Sequence, residues 1–305
     1  MKKIFCILAC LFTLFLTAQA DQKIIVQRGT EMKAYNKIAD ALNNVAEGDT
    51  IYLGTGQYDG FTLKTLTYVR GNGPGTYING NVIINIPGTP TPTETLVQGL
   101  NINGNLEVSS QINDLQVKHC SFKQTNFQAN LPNCVIDRCY ITEGFKINGF
   151  VNDMTVKHSK INNLYEGSAT NNGCNFINCN IRNGDYYTKI SGIFTNCILH
   201  LNYGANYTSI FASAFYYCLM WRYDYPEDNN TSMWNCWHVP NRNLNDEIEI
   251  MNYDVSQYKG SNGEQIGIYD ATCPFTLTPR VPKASSNSIT VNNNKLTVNI
   301  TVTKE

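Results

Sequence analysis

Asp114-Leu-Gln-Val-Lys-His-Cys-Ser-Phe122 returns as Asn133-Cys-Val-Ile-Asp-Arg-Cys-Tyr-Ile141, Asp153-Met-Thr-Val-Lys-His-Ser-Lys-Ile161, Gly173-Cys-Asn-Phe-Ile-Asn-Cys-Asn-Ile181 and Ser191-Gly-Ile-Phe-Thr-Asn-Cys-Ile-Leu199. Positions two and four of this nonapeptide are small or apolar. Two outward residues follow, and positions seven and nine are again Cys or Ser and a large aliphatic or aromatic residue. That is strand alternation broken by a bend that restores the inward face. Cys120, Cys139, Cys179, Cys197, Cys218 and Cys236 recur at steps of 19, 40, 18, 21 and 18, with Ser159 in the missing place. A period near 20 residues is the mark of a solenoid. Stacked coils put the cysteines in one interior column as small residues beneath a tight bend. Thr95-Leu-Val-Gln-Gly-Leu-Asn-Ile102 anticipates the pattern one period earlier, and residues 212–220 and 230–238 repeat it loosely.

Outside the repeat, Lys2-Lys3, the apolar run from Ile4 to Leu16 and Ala18-Gln-Ala20 read as a signal peptide over residues 1–20. A lipoprotein reading through Ile7-Leu-Ala-Cys10 leaves only six apolar residues ahead of the cysteine. Export to the periplasm, cell surface or medium is the expectation. No later segment approaches the roughly 20 apolar residues of a membrane helix. The 305 residues carry 23 Lys+Arg against 24 Asp+Glu, which gives no basic surface for nucleic acid. Only 15% are charged, whereas 40 are Asn and 22 are Gly, a composition of strands and turns.

Ile38, Leu42 and Val45 share one face of a predicted helix over residues 33–46, a cap for the first coil. Ile289, Val291, Leu296, Val298, Ile300 and Val302 alternate around Asn292-Asn-Asn294 and predict a closing hairpin. The expected organisation is a β-helix over 21–245 and a β-rich tail over 246–305.

Asp40-Ala-Leu-Asn-Asn-Val-Ala-Glu-Gly-Asp-Thr-Ile-Tyr-Leu-Gly-Thr-Gly-Gln-Tyr-Asp59, followed by Tyr68-Val-Arg-Gly-Asn-Gly-Pro-Gly-Thr-Tyr-Ile-Asn-Gly80, resembles the opening coils of right-handed parallel β-helix proteins of the pectin-lyase-like superfamily. The tail from Gly263 to Pro279 is similar to the ends of secreted β-helix proteins of Bacteroidetes. The resemblance implies an all-β right-handed solenoid over roughly residues 35 to 240. It implies no particular chemistry, because that superfamily's lyases, hydrolases and esterases each need a set this chain does not repeat: a calcium-binding carboxylate cluster, paired Asp residues with Gly-His-Gly, or the Asp and Gln pattern of methylesterases.

Three candidate sites remain. Lys118-His119, Asp137-Arg138 and Lys157-His158 stack into a Lys/Asp/Lys column beside a His/Arg/His column. This strip reads either as a basic track for an acidic polysaccharide, with His119 or His158 as general base and Arg138 pairing with a carboxylate, or as a charge ladder needing no ligand. Tyr186 and Tyr187, with Trp221, Arg222, Tyr223 and Tyr225, form an aromatic loop set suited to stacking on sugar faces. Asp224, Glu227 and Asp228 are an acidic group that would suit Ca²⁺ if any metal is bound. Polysaccharide binding at the cell surface or in the periplasm, without a complete catalytic set, is the expected function; a lyase acting on uronate-containing glycans and a structural or adhesive spacer are the alternatives.

Overall fold

The computed structural model describes residues 24–88, 94–147, 153–166, 174–183, 188–201, 208–221, 232–239, 255–279, 283–292 and 295–303. Its strands are β1 (Ile24–Arg28), β2 (Glu31–Tyr35), β3 (Thr50–Leu53), β4 (Gly56–Leu63), β5 (Tyr68–Arg70), β6 (Thr76–Ile84), β7 (Thr95–Gln98), β8 (Asn101–Ile102), β9 (Leu106–Val108), β10 (Leu115–Lys118), β11 (Ser121–Phe127), β12 (Val135–Asp137) and β13 (Tyr140–Ile147). They continue with β14 (Met154–Lys157), β15 (Lys160–Asn162), β16 (Leu164–Glu166), β17 (Cys174–Ile177), β18 (Asn180–Asn183), β19 (Thr188–Thr195), β20 (Ile198–Leu201), β21 (Thr208–Tyr216), β22 (Leu219–Trp221), β23 (Ser232–Trp234), β24 (Trp237–Val239), β25 (Lys283–Asn292) and β26 (Lys295–Thr303).

Each nonapeptide supplies a strand to each of two sheets. In the first, Leu115 and Val117 of β10 are fully buried while Gln116 and Lys118 face out. His119 then turns the chain in the left-handed region at φ 54°, and β11 leaves in the second sheet with Phe122 inward. The first sheet runs β2-β1-β3-β5-β7-β10-β12-β14-β17-β19-β21-β23, and the second runs from β4 to β24 through the intervening partners. Beyond the antiparallel β1 and β2, both stack in parallel, so the fold is an all-β parallel solenoid. Gln116 lies opposite Val135, Val135 opposite Thr155 and Thr155 opposite Asn175, offsets of 19, 20 and 20 residues.

The interior is columnar. Position four places Val117, Ile136, Val156, Phe176, Phe194 and Phe215 above one another. Phe176 stacks on Phe194 at 4.8 Å and Phe194 on Phe215 at 4.9 Å between ring centres. Phe127, Phe145 and Phe176 meet edge to face. Position seven is the cysteine column, and among the described residues all nine cysteines are free. Cys179 Sγ donates to the carbonyls of Ile177 and Val156, 3.3 and 3.4 Å away, and Cys197 and Cys218 repeat this one rung on. The column is thus more than small-residue packing, since each thiol meets two carbonyls at the bend. Ser159 fills its slot with a hydroxyl that donates to Lys157 O at 2.7 Å and accepts from Cys139 N at 3.0 Å.

The N-terminal end differs from expectation. Only α1 (Ile38–Leu42) is helical, with Ile38 and Ala41 buried, while residues 31–35 form β2. The edge of the first sheet offers β1 a ladder of hydrogen bonds, and β2 pairs to β1 in turn, which outcompetes a longer helix. At the other end, β25 and β26 pair as the predicted hairpin, with Ile289 opposite Val298 and Val291 opposite Leu296. Among the described residues no helix is long and apolar enough to cross a membrane.

Candidate functional site

The bend at position six takes a left-handed residue on every rung from Gly99 to Asn235. His119, Arg138, His158, Asn178, Asn196, Tyr217 and Asn235 have φ between 47° and 56°, and Gly99 takes the same place with φ 68°. Asn and Gly suit that region; the histidines, Arg138 and Tyr217 occupy it against their steric preference. The same logic places Asp114, Asn133 and Asp153, at φ 57° to 59°, at the turn preceding the first-sheet strand. Asp114 and Asp153 are therefore turn residues remote from Asp137 in role.

This line of bends is covered. Residues 255–279 run back along the solenoid as a strap, meeting Asn196, Asn178, His158, Arg138, His119 and Gly99 in turn. The strap starts on a small apolar cluster outside the coil, where Val255 and Ile266 pack with Ile198 and Leu219, flanked by Trp237, Tyr258 and Tyr269. Ser261 N donates to Asn196 Oδ1 at 2.9 Å, Gly267 N to Asn196 O at 2.7 Å and Ile268 N to Asn180 Oδ1 at 3.1 Å. Asn178 Nδ2 donates to Asp270 Oδ2 at 2.8 Å. The side-chain amides of Asn196, Asn180 and Asn178 are thus engaged by the strap. Asp270 is held by Thr272 N and Thr272 Oγ1 at 2.9 and 2.6 Å; burial raises its pKa, but these bonds outweigh it and keep the carboxyl below its usual range.

The strap then crosses the charged strip. Register sets Lys118 and Lys157 on either side of Asp137, as the stacked nonapeptides imply. Asp137 is 6% exposed, His119 8% and His158 9%. His158 Nδ1 lies 3.0 Å from Asp137 Oδ1, and Arg138 Nη1 donates to Asp137 Oδ2 at 2.9 Å. Burial pushes the Asp137 pKa up, but His158, Arg138 and Lys157 prevail and hold it below the usual carboxylate range. Arg138 Nε donates to Pro274 O at 3.4 Å, Nη2 contacts Cys273 Sγ, and Cys273 Sγ lies 3.7 Å from His158 Nδ1. His119 Nδ1 lies 2.7 Å from Thr276 O; because a carbonyl only accepts, Nδ1 carries the proton. Burial pushes the His119 pKa down, favouring the neutral ring.

Beside the strap the outward face of the first sheet is exposed at both ends and half-buried between them, with Asp137 buried. One column passes through Tyr52, Arg70, Gln98, Lys118, Asp137, Lys157, Ile177, Thr195, Tyr216 and Trp234, each opposite the next. Tyr216 and Trp234 stack at 4.7 Å with planes 4° apart, and Trp234 is 47% exposed. At the other end, Tyr52, Arg70, Gln98, Asn72 and the strap residue Pro279 line an open groove of about 750 Å³. Arg70 Nη1 donates to Gln98 Oε1 at 2.7 Å and Tyr52 Oη to Gln27 Oε1 at 3.0 Å.

Of the other predicted residues, Trp221 ends β22 opposite His200 and Val239. Arg222, Tyr223, Tyr225, Tyr186, Tyr187, Asp224, Glu227 and Asp228 lie outside the described residues. Among the described residues no group of three or more His, Cys, Asp or Glu side chains is arranged to hold a metal. Sequence reasoning overlooks both the strap and the groove. A signal for the strap exists at position eight, which changes from Tyr140, Lys160 and Asn180 to Ile198, Leu219 and Trp237 where the apolar cluster forms. Compared with family models, curated proteins and solved structures, the chain finds no match in any of the three.

Proposed function

We propose that this chain is an exported polysaccharide-binding protein that holds a linear glycan along the outward face of its first sheet without turning it over. The supporting observation is the column from Tyr52 to Trp234, which has a ring at each end and Arg70, Lys118 and Lys157 between them. Nine steps at about 4.8 Å span roughly 43 Å, the length of a glycan chain rather than a single sugar. The exposed face of Trp234 offers a sugar ring an apolar, electron-rich surface, and the cations suit a glycan bearing carboxylates. Asp137 adds no free negative charge, because Arg138 and His158 pair with it.

In this reading the leader over residues 1–20 is removed on export and the coil is right-handed, as in pectin-lyase-like proteins. The noncatalytic part of the reading is supported by Arg138, whose Nε, Nη1 and Nη2 each have a protein partner. Affinity electrophoresis through gels containing neutral or uronate polysaccharides tests the reading. Retardation by a uronate polymer that Trp234→Ala and Arg70→Ala each diminish supports it. Unretarded migration through every gel, or unsaturated uronate products absorbing in the ultraviolet, would overturn it.

A further inference from the structure

β2 ends the first sheet, and among the described residues no strand lies on its outer side. The corresponding edge of the second sheet differs, because α1 lies against β4. Residues 31–34 of β2 are exposed, and Met32, at 67%, is more so than any other large apolar side chain among the described residues. The β1–β2 turn is the two-residue Gly29-Thr30, with Gly29 at φ 58°. Such a turn makes Arg28 and Glu31 the first hydrogen-bonded pair, and bonded pairs alternate along an antiparallel ladder. Lys33 and Tyr35 therefore bond to Val26 and Ile24, which leaves the N–H and C=O of Met32 and Ala34 directed at the open edge.

An open edge is a template for another strand unless something defends it. Charge is a common defence, and it works where like charges meet. Glu31 and Lys33 instead carry opposite charges two positions apart, on the face shared with Val26. Laid antiparallel and centred on Met32, two copies of β2 set Glu31 of each opposite Lys33 of the other. Met32 meets Met32 as a hydrogen-bonded pair, because its backbone groups already point outward. Centring on Lys33 would set two ammonium groups face to face, so charge selects the register. Beside the strand, Val26, Arg28, Tyr35 and Asn44 line an open groove of about 480 Å³, which leaves room for the second copy's side chains.

We propose that the chain forms a two-fold dimer by antiparallel pairing of β2 with β2 of a second copy. The contact is isologous, so it closes at two copies and leaves no open edge at this end of the first sheet. A two-fold axis normal to the strands' common sheet keeps both outward faces on one side, and the two first sheets run on as one surface. The pairing itself needs no glycan.

Sedimentation velocity of the full chain over a wide range of concentration reads the association, and the parent should show a concentration-dependent dimer. Glu31→Lys and Lys33→Glu each set like charges opposite one another and should weaken it at least about tenfold. Lys33→Glu also removes the Lys33 ammonium from its place 5.2 Å from the Tyr35 ring centre, so recovery is the decisive readout. Both substitutions in one chain reverse the pairs without making like charges meet, and should bring the dimer back. An equal mixture of the two single variants should form heterodimers although neither associates alone. Recovery of either kind requires folded protein, so a folding defect cannot imitate it. Met32→Pro removes the amide donated across the edge while sparing the bonds to β1, and should abolish the dimer. A parent that stays monomeric at every concentration overturns the proposal. So does a dimer that survives Met32→Pro or either charge reversal, or a mixture of the single variants that stays monomeric.

Discussion

His119 Nδ1 sits 2.7 Å from the carbonyl oxygen of Thr276, a residue 157 positions further along the chain. A coil formed early in the sequence is thereby tied to the tail that follows the last coil. The solenoid's own contacts are between neighbouring rungs, the quasi-one-dimensional pattern in which rungs form and fray locally. The strap is different: it touches six successive bends and ties a segment beyond the last coil to all of them. At its far end Gly99, with φ 68°, lets Pro279 approach; a Cβ there would lie 2.6 Å from Pro279 Cγ.

The first prediction concerns pH. The His119 pKa is lowered from 6.5 by burial, so the unfolded chain binds a proton at this site that the folded chain refuses. Stability from this group is complete above 6.5 and falls as pH drops from 6.5 toward the lowered folded value. His200, lowered to about 4 by burial and by nearby Arg182, acts in the same direction between 6.5 and about 4. Melting temperature measured from pH 7.5 to 4 should therefore fall on acidification, and His119→Asn should flatten part of that slope. An unchanged slope in the variant would refute the assignment. The carboxylates Asp137 and Asp270, lowered from 3.8, contribute stability lost only at still lower pH.

Removing Asp270 should release the strap. It is 3% exposed and accepts from Asn178, Thr272 and, at 3.4 Å, Asn262. Asp270→Ala leaves the buried Asn178 amide without this partner, a cost of about 1–3 kcal/mol. Urea unfolding should show that loss, and limited proteolysis should cut residues 255–279 faster than the coil. Equal cleavage of parent and variant would mean that the strap is held elsewhere.

How far the fold could be read from sequence follows from what repeats. The nonapeptide is legible because the same burial requirement recurs at Leu115, Cys134, Met154 and Cys174, and at Phe122, Ile141, Ile161 and Ile181. Position six is less so. Asn178 and Asn196 share it with His119, Arg138, His158 and Tyr217, because what recurs there is a positive φ and not a side-chain type. The strap repeats nothing, so its partners Asp270, Cys273 and Thr276 carry no periodic signal. The groove is hidden for a related reason: Tyr52, Arg70 and Gln98 are adjacent only through register, and the segments of Tyr52 and Arg70 depart from the nonapeptide. The strip of Lys118, Asp137 and Lys157 is legible in register, while the strap over the neighbouring His119, Arg138 and His158 is not.

Left-handed bends make a third prediction. Asn235 is exposed at φ 52°, so its replacement tests backbone conformation with little packing change. Asn235→Val should cost about 1–2 kcal/mol, because a β-branched side chain crowds the carbonyl in that region. Tyr217→Asn, at φ 54°, should act in the opposite direction and raise the melting temperature. Stabilisation by both substitutions, or by neither, would contradict the steric account.

The last prediction separates inward rings from outward ones on the same strands. Phe215 and Tyr216 are neighbours in β21, yet Phe215 is fully buried against Phe194 while Tyr216 faces out under Trp234. Phe215→Ala removes a ring from the axial stack and should cost about 3–5 kcal/mol. Trp234→Ala removes a ring 47% exposed and should cost far less, because the water it already meets replaces only part of its contact. If the face binds glycan, the order reverses for affinity. Trp234→Ala should weaken retention about tenfold, the equivalent of roughly 1.4 kcal/mol in a stacking contact, while Trp234→Phe keeps part of it. Phe215→Ala, assayed at a temperature where it stays folded, should bind as the parent does. Calorimetric melting and affinity electrophoresis on the same four proteins read both orders. A Trp234→Ala variant that loses stability as Phe215→Ala does would place its ring in the core's energetics. One that keeps full retention would remove the stack from the binding face.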